Sequence, residues 1–78
     1  MRATLWVEEV LREWKADSKV THLMLYKLQN GVITIYTDRP GPLIGRAGER
    51  IARYTEKLKA VPYPKITEVR LEETDGIF

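Results

Sequence analysis

Eleven residues in the middle of the chain hold two prolines and three glycines: Asp38-Arg39-Pro40-Gly41-Pro42-Leu43-Ile44-Gly45-Arg46-Ala47-Gly48. Proline has no backbone N–H and clashes inside a helix, and it is excluded from central strands. Glycine at this density marks tight turns or close approach by another chain. No single helix or strand can run through such a stretch, so the chain must be built from short elements on either side of it. With 78 residues in all, there is room for one domain around one core. A chain of this size buries only about 60% of its unfolded surface. It has no cysteine, so neither a disulfide nor a thiolate metal cluster can reinforce it. One domain spanning 1–78 is expected, with its core at about 4–72 and a loose tail over 73–78.

Upstream of the glycine-rich stretch the first element reads as a helix. Val7, Val10, Leu11 and Trp14 recur at i, i+3, i+4 and i+7, one apolar stripe. Glu8, Glu9, Arg12, Glu13 and Lys15 fill the positions between. Thr4 can cap its start and Asp17-Ser18 marks its end. Trp6 and Trp14 are expected to pack into the core rather than to stack on a ligand. Val20–Leu28 and Val32–Thr37 then read as strands. Asn30-Gly31 between them supplies the positive φ angles of a tight hairpin turn. Alternation places Leu23 and Leu25 with Ile33 and Ile35 on one face. His22, Met24, Tyr26, Thr34 and Tyr36 fall on the other, a mixed face that is either solvated or met by a partner. His22, the lone histidine, reads as a surface residue.

Downstream, Ile51, Tyr54, Thr55 and Leu58 form a second helical stripe, ended by Val61-Pro62-Tyr63-Pro64. Ile66–Leu71 alternates as a half-buried strand, and the tail is expected from Glu72 onward. The order is helix, strand, strand, short helix, glycine turn, helix, strand. The fold class is α+β: a three-stranded sheet with helices packed on one face.

The net charge of +2 conceals a division along the chain. Residues 1–38 carry five basic and five acidic side chains. Residues 39–65 carry seven basic and two acidic, and residues 66–78 carry one basic and four acidic. The cationic segment is centred on the glycine turn. There Arg46, Arg50, Arg53 and Lys57 are spaced as a stripe along one helix face, with Arg39 and Lys59 nearby. The helix that begins near Gly48 presents unpaired N–H groups and a positive dipole end, which suit a phosphate. Other phosphate motifs are absent: there is no G-x-x-x-x-G-K-[ST], and the spacing Gly41, Gly45, Gly48 is not G-x-G-x-x-G. Ser18, the only serine, lacks the G-x-S-x-G setting. No carboxylate pair sits in a catalytic context, and a single histidine leaves no multi-histidine metal site. No apolar run approaches the roughly 20 residues that cross a membrane, and no secretory signal is apparent. A non-enzymatic cytoplasmic protein without metal, cofactor or membrane is expected.

Ile44-Gly45-Arg46-Ala47-Gly48-Glu49-Arg50-Ile51 resembles the I-G-x-x-G-x-x-I signature of the KH (K homology) domain. The element order is similar to the type II arrangement, α-β-β-α-α-β. Ile33–Gly41 resembles the strand and R-P-G turn of one N-terminal KH domain. That domain belongs to the small-subunit ribosomal protein lining the channel through which mRNA enters. Ile66–Arg70 resembles the same domain's last strand. The resemblance implies single-stranded nucleic-acid binding, chiefly of RNA, with single-stranded DNA as the alternative. The loop of this family clamps the backbone of about four nucleotides. Carried over, the clamp is Gly45, Arg46, Ala47 and Gly48. The groove for bases uses Leu43, Ile44 and Ile51, with the last-formed sheet edge as its far wall. Arg39, Arg50 and Arg53 are the cations for the backbone, and the basic stripe adds Lys57 to the RNA-binding set. Strong binders of this family often carry two basic or polar loop residues, whereas here the second is Ala47. A single unit of this kind binds weakly, which points to a protein partner, self-association or a larger assembly. The competing expectation is a KH fold used for protein contact alone, through Met24, Tyr26 and Tyr36.

Overall fold

A two-residue turn sets the geometry of the sheet. Asn30 and Gly31 have φ of 53° and 80°, the paired positive angles that match the twist of a hairpin. They join β1 (Leu25–Gln29) to β2 (Val32–Thr37), and Gln29 pairs with Val32 immediately across the turn. The computed structural model describes residues 5–20 and 25–74. Within them the order is α1 (Leu5–Ser18), β1, β2, α2 (Pro40–Ile44), a single 3-10 turn (Arg46–Gly48), α3 (Glu49–Lys59) and β3 (Glu68–Glu73). The three strands lie in that order in one sheet, with β1 antiparallel and β3 parallel to the central β2. This α+β arrangement with a mixed sheet is consistent with a type II KH-like fold. A parallel pair needs a long crossover between its strands, and α2, the 3-10 turn and α3 provide it.

The register corrects the expected assignment of faces in the hairpin. Leu28 pairs with Ile33, Tyr26 with Ile35, and Leu25 with Tyr36. Residues directly opposite share a face, so Tyr26 and Leu28 join the core side and Leu25, 47% exposed, does not. The two-residue turn couples even positions of β1 to odd positions of β2. Tyr26 confirms its side by donating its hydroxyl to Glu8 Oε2 of α1 at 3.2 Å. A contact face shared by Tyr26 and Tyr36 therefore does not exist. Thr4, His22, Leu23 and Met24 lie outside the described residues.

The helices cover one face of the sheet. Ile33 and Ile35 are fully buried between Val7, Leu11 and Trp14 of α1, Leu43 of α2, and Tyr54 and Leu58 of α3. Val20 and Ile66 close the ends of this core, and Val69 and Leu71 of β3 pack at its side. Trp14 meets the expected burial, while Trp6 is only half-buried. The face that no described helix covers carries Lys27, Gln29, Val32, Thr34, Tyr36 and Arg70 around a shallow concavity of about 320 Å³. The last strand runs two residues further than its alternation implied. Glu72 and Glu73 pair with Tyr36 and Thr37, and Thr74 N donates to Thr37 O at 2.9 Å. Among the described residues no helix is long and apolar enough to cross a membrane.

Candidate nucleic-acid interface

The connection after β2 is anchored before it turns. Arg39 N donates to Thr37 Oγ1 at 3.0 Å, and Pro40 opens α2, where a missing N–H has no cost. Leu43 is fully buried, and its carbonyl accepts the Trp14 indole N–H at 3.0 Å. Gly45 N donates to Gly41 O at 3.0 Å and ends the helix. The chain then projects through Arg46 and Ala47, both exposed, and returns at Gly48, whose N–H donates to Gly45 O at 3.2 Å.

Two of these positions require glycine for different reasons. Gly45 has φ 77° and ψ 178°, a region that other residues almost never enter. A Cβ there would also stand 2.8 Å from Arg50 Cβ and 3.1 Å from Arg50 N. Gly48 has φ 74° and ψ 14°, with open space where its side chain would be. Ala47 between them is left-handed as well, at φ 55° and ψ 27°, which costs a non-glycine residue about 1–2 kcal/mol. The result is a tight, small-residue projection leading into the first turn of α3, which receives no side-chain cap. Arg50 Nη1 donates to Pro42 O at 2.5 Å and ties the base of the projection to α2.

The expected site residues divide into four groups. Gly45, Arg46, Arg50 and Arg53, joined by Glu49, which was not among them, line a small concavity of about 120 Å³ beside the turn. Ile44 is 37% exposed and Ile51 is half-buried, whereas Leu43 lies wholly in the core beneath them. Arg39 is exposed at the start of α2. Lys57 is further along α3, away from the concavity.

The cations of α3 do not all face open solvent. Arg53 Nη1 lies 3.0 Å and Arg50 Nε 3.8 Å from Asp17 Oδ2 of α1. Arg53 also lies 3.6 Å from Glu49, and Lys57 pairs with Glu13 of α1. Among the described residues Arg46 makes no such pair. Glu13 and Asp17 were missed as partners of this site. Their i, i+4 spacing, which sets two acids on one face of a helix, was the available signal.

Tyr54 lies under this network. It is 3% exposed, stacks on Trp14 with ring centroids 5.5 Å apart, and donates its hydroxyl to Asp17 Oδ2 at 2.8 Å. Burial, and then the hydrogen bond to Asp17, hold its phenol above the ordinary value of 10.0. As the pH rises, the phenol of the unfolded chain ionises first. The folded state then binds more protons, so its stability falls above about pH 10. Urea midpoints measured from pH 9 upward will show this decline, and it will be shallower in Tyr54→Phe. Equal slopes in the two proteins would refute the assignment.

Among the described residues no cluster of histidine, aspartate or glutamate could hold a metal ion. Comparison with curated proteins finds relatives named small ribosomal subunit protein uS3. The protein of that name from Xanthomonas oryzae is 34% identical over 81 residues, which cover 97% of this chain and 33% of the relative. That from Halorhodospira halophila is 34% identical, covering 97% of this chain and 36% of its own length. That from Nitrosomonas europaea is 37% identical over 75 residues, covering 90% and 35%. The chain thus spans about a third of the length of the relatives it matches. No protein-family model matches the chain, and no solved structure gives a significant match.

Proposed function

We propose that the chain is a KH-type module that binds single-stranded RNA in a cytoplasmic, ribosome-related setting. The observation that carries this reading is the turn at Gly45–Gly48. Its two glycines are held to conformations other residues resist, and it projects Arg46 and Ala47 from a base locked by Trp14 and Arg50. Small residues let a sugar–phosphate backbone approach closely, and Arg46 offers it a charge. Uncapped N–H groups at the start of α3 add donors beside the same turn. Ile44 and Ile51 supply apolar surface next to the clamp for bases, and Arg39 and Arg50 flank it. The similarity to ribosomal proteins named uS3 supports the same choice of ligand class.

The Arg46→Asp, Ala47→Asp double variant tests it. Aspartate tolerates the left-handed conformation of position 47 better than most residues do, and both side chains are exposed, so the fold is expected to survive. Binding of a fluorescent mixed-sequence single-stranded RNA at low salt is expected in the parent and is expected to be lost in the variant. Parent binding should weaken with salt, with a log–log slope of about −0.7 for each phosphate contacted. A double variant that keeps its circular dichroism and binds RNA as the parent does would remove the clamp from this turn.

A further inference from the structure

We infer that Asp17 acts as a built-in substitute for a nucleic-acid phosphate, holding the arginines of α3 until an RNA backbone displaces it. This inference rests on the RNA-binding reading above. One carboxylate oxygen, Asp17 Oδ2, receives Arg53 at 3.0 Å and lies 3.8 Å from Arg50. Both arginines also line the concavity beside the glycine turn. An anion presented to two guanidinium groups at the edge of that concavity is what a backbone phosphate arriving from the turn would be. The contact is open to exchange: the side chains of Asp17, Arg50 and Arg53 are 37%, 32% and 48% exposed.

The location of Asp17 argues against a purely helical role. It lies one residue before the end of α1, where the helix dipole disfavours a negative charge. What favours a carboxylate there is α3, not α1. Glu13, one turn earlier, holds Lys57 in the same manner. The acidic face of α1 therefore neutralises the part of the basic stripe furthest from the turn and leaves Arg46 outside the network. Incoming RNA meets Arg46 first and gains Arg53 by exchanging its phosphate for Asp17, beside Arg50, which keeps its bond to Pro42 O.

Asp17→Asn removes the charge while keeping an oxygen for the Tyr54 hydroxyl. Asp17→Ser removes the same charge with a shorter side chain should the amide disturb packing. Glu9→Gln, on the exposed surface of α1, makes the same change in net charge away from the arginines. Binding of a labelled single-stranded RNA is measured across a salt series, with urea midpoints recorded for each protein. A neutral residue 17 is expected to tighten binding about 2- to 10-fold at low salt and to steepen its salt dependence, while Glu9→Gln changes either little. Equal behaviour of the residue 17 variants and Glu9→Gln would overturn the inference and leave the clamp reading standing. If Asp17→Asn tightens binding but the Arg46, Ala47 double variant loses none, the exchange stands and the clamp reading falls. If neither the parent nor Asp17→Asn binds RNA, both fall.

Discussion

Replacing Trp14 with alanine is expected to remove most of the chain's stability. Trp14 is fully buried, stacked on Tyr54 at an interplanar angle of 10°, and bonded through its indole N–H to the carbonyl of Leu43. Truncating a buried tryptophan costs about 3–5 kcal/mol in lost burial and residual cavity. The Leu43 carbonyl would also be left buried without a partner, which costs about 1–3 kcal/mol more. A domain of this length has about 4–12 kcal/mol of total stability, at roughly 0.05–0.15 kcal/mol per residue. Trp14→Phe separates the two contributions, because it keeps a ring against Tyr54 and removes only the donor and some volume. Far-UV circular dichroism in urea is the suitable measurement, since Trp6 would complicate fluorescence. Trp14→Ala should unfold at the lowest urea concentration of the three, and Trp14→Phe should show a clear transition between it and the parent. An alanine variant with a midpoint near the parent's would mean that α1 does not depend on this residue to dock on the crossover.

The second large effect is expected at Gly45. Alanine there meets two independent penalties. The backbone conformation costs a non-glycine residue about 1–3 kcal/mol. The added methyl would press on Arg50 Cβ and backbone N, which cannot retreat without shifting the first turn of α3, a further cost of about 1–3 kcal/mol. Gly48→Ala meets only the first kind of penalty, about 1–2 kcal/mol for a left-handed residue, because nothing lies within 4 Å. Chemical denaturation should therefore rank Gly45→Ala well below Gly48→Ala in stability, and RNA binding should fall with the distortion at 45. Equal losses at the two positions would mean that the close contact with Arg50 relaxes freely, and that conformation alone selects glycine.

Much of the fold was legible because the chain is punctuated strongly. Asn30-Gly31 marks the hairpin, and the prolines and glycines between Arg39 and Gly48 mark a break that only a short helix and a turn can fill. The two helical stripes were readable from Val7–Trp14 and Ile51–Leu58, since their apolar period is unambiguous. The side of the hairpin was harder. Residues 20–28 carry apolar side chains at both parities, so hydrophobicity did not decide between Leu25 and Tyr26. The pairing of Gln29 with Val32 decides it. The end of β3 was obscured because Glu72 and Glu73 look like a tail, and strand pairing with Tyr36 and Thr37 is a backbone property to which charge is a poor guide.

The glycine turn of the candidate site was legible for the same reason as the fold, since it breaks local rules. The setting of the basic stripe was not. Arg50, Arg53 and Lys57 declare their charge at helical spacing, but nothing local to them names Asp17 or Glu13. Arg53 and Asp17 are 36 residues apart, and only the packing of α1 on α3 brings them together.

The parallel pairing of β2 with β3 sets the order in which this molecule assembles. The β1–β2 hairpin closes across two residues and can form within about 1–10 μs. Thr67 N, by contrast, must find Gly31 O, 36 positions away along the chain, and the β2–β3 pairing closes over the whole length of α2 and α3. Loop-closure entropy makes such distant pairing slow compared with local contacts. Mutations in the crossover should therefore act on the folding rate, while those confined to the Asn30-Gly31 turn should act chiefly on which hairpin register forms. On a ribosome making this chain, the hairpin and α1 would emerge first and wait, with one edge of β2 unpaired, until Glu68–Glu73 arrived.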